Sequence, residues 1–519
     1  MPVARSLRHV HRFVFAAILV GSVGDVACGQ GVSLGLPVAV SPADPTPANA
    51  TPADKLPLPR TAGYGEAAAP NSGVQSAVLP IDLPTVLRLV DNNNPSIGLA
   101  RARVEEAYQR WEQAKVLWLP TLSAGGTYQR HDGQIQRSVG DVFTTSRSSL
   151  FGGGIAAARF DTSLALFAPL VARQLTDAEA ARTQAVTQNR QLDAALAYFD
   201  LLQLHGQIAI NADTLARAEQ MLNRAIAADK TGLSKNKSDV NRAETEVNIR
   251  KQEAIVLRGR TAAASARLVR LLLLDPTVEL VPADLTVLPI TLLPPSSTIE
   301  GLIQLGYSQR PEVAAARSLI GASEARLSQA KYGPLLPKVQ IEYGGGLFGG
   351  GINSTIGNTA GRGDGTAAVY WELRNLGLGN LGEIRERRAG VDQQRFFQLE
   401  VEAQVAAEVA EAAKLAGARF QSLDAAEKAV INALEMYRKL LETSFGMIGP
   451  RAQYDALEPL LAIQALNQAR ILYLNEVAEF NRLQFRLYTA IGQPPLQALS
   501  SMTVTPLPTT TTPTPPKGP

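Results

Sequence analysis

The chain has 519 residues, of which 45% are hydrophobic, 19% charged and only 6% aromatic. Its formal charge is +3; without residues 1–29, which hold three Arg and one Asp, it is +1. A near-neutral chain has no polybasic arm and excludes nucleic acid as a partner. With one Cys and four His, and no G-x-S-x-G, P-loop or helix-opening G-x-G-x-x-G, it also lacks the residues for most metal or nucleophile chemistry. No enzyme activity and no cofactor are expected.

Residues 1–29 read as a secretory signal. Arg5, Arg8 and Arg12 precede an apolar stretch from Phe13 to Val20, followed by small residues up to Val26-Ala27-Cys28-Gly29. Cleavage after Gly29 fits Ala27 and Gly29 as the small pair. The alternative is lipidation at Cys28, against which Asp25 stands where such a signal wants Leu or Val. Residues 30–80 are rich in Pro and Ala and read as a disordered spacer. Residues 498–519 end the chain as a Thr/Pro tail of the same kind.

Between them the sequence repeats, over 81–295 and 296–497. Pro95, Arg101 and Lys115 recur 216 residues later as Pro311, Arg317 and Lys331, and Leu119-Pro120 returns as Leu336-Pro337 with one residue inserted. Each half opens with a short helix and a Pro-initiated second helix, and each stops at the Leu-Pro pair. The periodicity then changes to two. Val339, Ile341 and Tyr343 alternate with Lys338, Gln340 and Glu342, which predicts a strand with one apolar face. Leu122, Ala124, Gly126 and Tyr128 alternate more weakly. Second strands are expected at Phe160–Phe167 and Ala367–Leu373. The hexapeptide LFGGGI occurs at 150 and again at 347, and reads as shared turn chemistry.

Then come two proline deserts. None of the 32 prolines falls in 170–275 or 338–449, although ten lie in residues 1–80 and six in the last fourteen. An interior Pro costs a helix about 3 kcal/mol, so the deserts predict very long helices. Leu192, Leu196, Phe199 and Leu202 form one apolar stripe. Phe420, Leu423, Val430, Leu434, Tyr437 and Leu441 form another with coiled-coil steps. Breaks near Thr231-Gly232-Leu233-Ser234 and Gly446-Met447-Ile448-Gly449 fold each desert into an antiparallel hairpin, with arms of about 60 residues, or roughly 90 Å. Pro459 predicts a kink, or a helix that begins near Leu457. The fold class is therefore mainly α with a small β portion. Four such strands are too few to close a membrane barrel, so either several chains share one or the strands form a small soluble sheet.

Residues 81–497 resemble the TolC-like outer-membrane efflux family. The likeness rests on the duplicated N-P…LP-T-L-S and R-P-E-V…LLP-K-V segments, on W-E-L-R-N-L-G at 371–377, and on Gly232, Asp239, Val240, Ala243 and Glu244. It implies a homotrimer with four membrane strands per chain, joined in a twelve-stranded β-barrel that an α-helical barrel continues through the periplasm. Outer-membrane lipid, a periplasmic adaptor (membrane fusion) protein and an inner-membrane pump are the implied partners. The implied function is a passive exit channel of a tripartite efflux pump or type I secretion system. The hairpin ends Thr231, Gly232, Leu233, Ser234, Gly446, Met447, Ile448 and Gly449 are then the adaptor-contact and gating tips. Thr231 departs from the Val usual at the first place. Acidic residues near them, Asp229, Asp239, Glu442 and Asp455, would either form rings of like charge in a trimer or simply be solvated beside the turns. Trp118 and Trp371, at strand boundaries, would be interfacial anchors or would pack at the helix–strand junction. The alternative is a soluble periplasmic coiled-coil adaptor or scaffold, which shares the hairpins but needs no membrane strands.

Overall fold

The computed structural model describes residues 78–232, 236, 238–284, 286–294, 297–446, 456–501 and 503–504. The expected leader with Cys28, most of the spacer and the end of the tail lie outside the described residues.

The elements run β1 (Val78–Ile81), α1 (Leu83–Asn93), α2 (Pro95–Lys115), β2 (Thr121–Gln136), β3 (Val142–Asp161), α3 (Thr162–Lys230) and α4 (Asp239–Leu272). They continue with β4 (Glu279–Pro282), β5 (Ile290–Thr291), α5 (Ile299–Gln309), α6 (Pro311–Tyr332), β6 (Lys338–Ile352) and β7 (Gly357–Tyr370). The last are α7 (Leu378–Gly446), α8 (Leu457–Ala490), α9 (Pro495–Ser501) and β8 (Thr503–Val504).

Local chemistry sets the helix starts. Asp82 accepts from Thr85 N at 3.0 Å, Asn94 from Ser96 N at 2.9 Å and Thr298 from Gly301 N at 3.3 Å. Each satisfies one orphan donor at a helix start. Pro95 and Pro311 take the first helical position, where the missing N–H costs no bond. The sequence repeat is also a repeat of contacts. Arg101 Nη2 reaches Asp91 O at 3.5 Å, and Arg317 Nη2 reaches Tyr307 O at 3.2 Å, so each ties its helix to the end of the helix before. The halves differ at the cap: in place of Asn94 stands Arg310, buried and paired with Glu312 at 3.1 Å and Glu408 at 2.8 Å.

The long helices are longer than expected. α3 and α7 have 69 residues each, about 100 Å, and return as α4 and α8 of 34 residues each. The strand expected over 160–167 ends at Asp161. There the Asp161 carboxylate accepts from Leu164 N at 3.1 Å and starts α3, so Pro169 stands inside the helix and does not precede it. α8 begins at Leu457, the second of the two alternatives for Pro459, with that proline in the first turn where N–H groups are unpaired anyway.

Two short pairings were not foreseen. β1 lies parallel to β4, so Val78–Pro80, read as spacer, form a strand. β8 pairs antiparallel with β5, inside the stretch read as tail, and α9 precedes it. Strands this short, with partners some 200 residues away, carry no local signal. Asn481 of α8 holds β5 in place, accepting from Ile290 N at 2.8 Å and donating to Leu288 O at 2.8 Å.

Among the described residues, apolar burial falls in three places. One core gathers α1, the middle of α3, the end of α4, β4 and α8 around Tyr198, Phe199, Leu268, Leu280 and Phe485. A second joins α5, α6, α7 and α8, and a third lies near the hairpin ends. The imidazole of His205, on α3, lies partly in this interior, and its Nε2 is sealed from solvent with no partner among the described residues. Burial lowers its pKa below 6.5, against the opposing field of Glu279. The fold therefore favours the neutral ring. That contribution is complete above pH 6.5 and is lost as pH falls from there through the lower folded value. The thermal midpoint is expected to drop between pH 7.5 and pH 5.5 by more in the wild type than in His205→Gln; equal drops would exclude His205 as the cause.

Candidate functional site

β2, β3, β6 and β7 form one antiparallel sheet in that order. Its register fixes which side chains share a face. The rows Leu122–Ala156–Tyr343, Ala158–Ile341–Ala367, Phe160–Val339–Val369 and Tyr128–Leu150 lie on one side. The rows Thr121–Ala157–Glu342–Thr366, Arg159–Gln340–Ala368 and Asp161–Lys338–Tyr370 lie on the other. One face is thus apolar across all four strands, while the other carries hydroxyls, amides and ion pairs, including Arg159–Glu342 at 3.3 Å and Lys338–Asp161 at 3.7 Å. Val339, Ile341 and Tyr343 stand on the apolar side, as their alternation predicted.

Among the described residues nothing covers that apolar face. Leu122, Tyr128, Leu150, Ile341, Tyr343, Leu347 and Val369 are all exposed. From Leu150 to Phe160 the band runs about 33 Å along the strand; at a tilt of about 40° it is about 25 Å tall, the hydrocarbon height of an outer-membrane barrel. Trp118 and Trp371 are both exposed and lie where the sheet meets the helices, with the Trp118 ring 6.2 Å from Phe160. Among the described residues no helix is long and apolar enough to cross a membrane.

The repeated LFGGGI is not a turn. Both copies are strand, and they run side by side: Phe151 faces Phe348, and Gly153 faces Gly346. The glycines allow a close approach there. A Cβ on Gly153 would lie 2.3 Å from Gly345 O, and one on Gly346 would lie 2.3 Å from Gly152 O. A turn reading was natural because three successive glycines usually break structure.

At the far end of the helices lie the two hairpin turns. A polar seam sets α8 against α3 in one antiparallel register. Thr214 Oγ1 meets Asn467 Oδ1 at 3.0 Å, Asp213 meets Arg470 at 2.5 Å, Gln203 Nε2 meets Asn475 Oδ1 at 2.6 Å, and Arg482 meets Asp200 at 2.7 Å. Burial alone would raise the Asp213 carboxyl, but its bonds to Arg217 and Arg470 prevail and hold it below the usual range. Extended downwards, the register brings the end of α3 level with the start of α8. Met221, Ala225, Ala243, Tyr437, Ala456 and Leu460 close a small core there, so the helices of the two hairpins pack together near their turns within one chain.

Of the tip residues, the structure describes Thr231, Gly232 and the backbone of Gly446, the last residue of α7; Leu233, Ser234, Met447, Ile448 and Gly449 lie outside the described residues. Thr231 caps α3, its Oγ1 donating to Ala227 O at 3.0 Å, and Gly232 takes the left-handed φ of 71°. The acidic residues divide. Asp229 and Glu442 are exposed, while Asp455 is outside the described residues. Asp239 is fully buried at the start of α4, 3.5 Å from Arg242, so its carboxylate is not available to a ring of charge facing solvent. Sequence periodicity could not separate these cases, because a helix start is where an acidic side chain is favoured in any event.

No protein-family profile matches the chain, and no curated protein matches it. Solved structures do. The outer-membrane channel OprN superposes with a TM-score of 0.66 over 80% of this chain and 90% of its own, at 20% identity. The outer-membrane protein VceC from Vibrio cholerae gives 0.63 over 79% and 96%, at 18% identity. The open state of the Neisseria gonorrhoeae MtrE outer-membrane channel gives 0.62 over 79% and 89%, also at 18%. The chain therefore has the fold of TolC-like outer-membrane channels.

The β3–β6 contact makes a paired prediction. Gly153→Ala forces overpacking, which costs about 1–3 kcal/mol, whereas a Cβ at Gly152 meets nothing within 4 Å. Thermal unfolding in detergent is expected to show a lowered midpoint for Gly153→Ala and an unchanged one for Gly152→Ala. Equal midpoints would mean that the strands do not approach as described.

Proposed function

We propose that this protein is the outer-membrane exit channel of a tripartite efflux pump or type I secretion system, a passive conduit assembled from three copies. The carrying observation is the sheet: an apolar face in register across four strands that nothing covers among the described residues, with outer edges on β2 and β7 that have no partner strand among them. Unpaired backbone groups cost several kcal/mol each in hydrocarbon, so those edges must find partners. An even number of antiparallel strands leaves the two edges running in opposite directions. A second copy can therefore add its β2 beside the first copy's β7 and continue the pattern, and a rotation closes the ring. Two copies would give eight strands, whose interior is filled by side chains; three give twelve and leave room for a lumen. The apolar face meets outer-membrane lipid, and the polar face lines the lumen.

The two hairpins carry that lumen about 100 Å into the periplasm. Their ends are the contact surface for a periplasmic adaptor protein, which joins the channel to an inner-membrane pump that supplies the energy. Adaptor contact opens the tips only to the extent that it binds the open arrangement more tightly. The reading involves no bond chemistry. A soluble adaptor or scaffold is disfavoured, since it would leave the apolar sheet face in water.

Detergent extracts of outer membranes are expected to hold trimers that conduct in planar bilayers; a chain soluble without detergent that gives no conductance would defeat the channel reading. For the tip, Gly232 allows a controlled comparison. Asp and Asn both tolerate left-handed φ, so Gly232→Asp and Gly232→Asn differ mainly in charge. Pump-dependent export is expected to be abolished by Gly232→Asp and kept by Gly232→Asn, with trimers intact in both. Equal export by the two would remove Gly232 from the adaptor surface.

A further inference from the structure

The polar face of the sheet has a charge order along its length. Nearest the helices, Asp161 and Lys338 stand in one row, and Arg159 pairs with Glu342 across two adjacent rows. Higher up, Arg362 pairs with Asp364 at 2.8 Å. Above them the row Thr127–Phe151–Phe348–Ala360 carries no charge, nor does Gln129–Ser149–Gly350. The next row is His131–Arg147–Ile352. Arg147 is exposed, and among the described residues no carboxylate pairs with it, unlike Arg130, Arg159, Lys338 and Arg362 on the same four strands. It lines a recess of about 770 Å³ together with Gln129, His131 and Ser149. His131 stands directly opposite it, with an Nε2 that is sealed from solvent and has no partner among the described residues.

We propose that Arg147 sets an anion preference at the outer mouth of the channel. The inference rests on the proposed barrel, in which this face lines the lumen and three copies place three Arg147 side chains at one level. Every other strand cation on the sheet is neutralised within its own chain, so the excess positive charge of the wall sits in this one ring. The ligand class is small inorganic and organic anions, drawn to the ring through the lumen. Rings of charged side chains bias permeation in this way, and the field reaches about 10 Å at 0.1 M salt and about 30 Å at 0.01 M. The effect is therefore strongest when the outer solution is dilute.

The test is the reversal potential of single channels in planar bilayers under a KCl gradient, with the dilute side at the outer mouth. The wild type and Arg147→Lys are expected to show the same chloride preference. Arg147→Gln is expected to weaken it, and Arg147→Glu to shift the potential further towards potassium. Conducting channels whose reversal potential is the same for wild type and Arg147→Glu would overturn the ring while leaving the barrel in place. Absence of conductance in the wild type as well would overturn the barrel and the ring with it.

Discussion

A backbone N–H or C=O left unpaired in hydrocarbon costs several kcal/mol, and the four-stranded sheet presents a whole edge of such groups on each side. In the proposed channel the exposed apolar face draws the sheet towards lipid, and the edges forbid it to enter alone. Much of the rest answers this conflict. The chain supplies two strands per repeat, so its sheet has an even count and its edges run in opposite directions. On the proposed function, assembly becomes a condition for insertion, where in most oligomers it follows folding of the protomer.

The helical part has the reverse problem. α3 and α7 are too long to be specified by one core, and their apolar stripes are rich in Ala, which packs closely but distinguishes one register from the next poorly. The polar seam supplies that distinction. Each step along α3 from Asp200 to Thr214 is matched by a step back along α8 from Arg482 to Asn467. A slip by one turn would leave several partly buried amides and charges without partners, at a cost of about 1–3 kcal/mol each. The seam thus holds the two hairpin ends level, which an apolar stripe alone would not do.

Much of this was legible in the sequence, and the reasons are physical. Periodicity marks β6 and the long helices, the absence of proline bounds the helices, and the duplicated Asn-Pro or Arg-Pro starts and Leu-Pro stops give the order of elements. Pro459 pointed to a kink or a helix start near Leu457 because proline tolerates few helical positions, and the structure takes the second. The failures are equally specific. The 160–167 segment reads as strand by its apolar residues, but the Asp161 cap decides the backbone, and a cap is one residue against eight. LFGGGI reads as turn because glycine propensity is local, whereas the need for glycine here comes from a strand 193 residues away, at Gly346 opposite Gly153. β1, β8 and the polar seam have only long-range causes. Arg147 was passed over for the same reason: a lone arginine on a strand is ordinary until the register shows that every other strand cation has a carboxylate.

The duplication also explains why the sheet can be amphipathic without strong alternation in every strand. β2 and β7 contain few large apolar residues, and β7 is mostly glycine, Thr and Ala between residues 357 and 368. Alone, neither would choose a face. In the sheet they lie at the edges, and the two inner strands, one from each repeat, carry the pattern for both: Leu150, Ala156, Ala158 and Phe160 on β3 and Val339, Ile341, Tyr343 and Leu347 on β6. Because pairing moves in steps of two, an edge strand registered to a patterned neighbour inherits its face. Tyr343 reinforces this by lying across the bare glycines of β7, its hydroxyl 3.0 Å from where a Gly363 Cβ would stand. In the proposed trimer, weakly patterned edges become an advantage, because a strand that accepts a second copy carries few side chains that would oppose it.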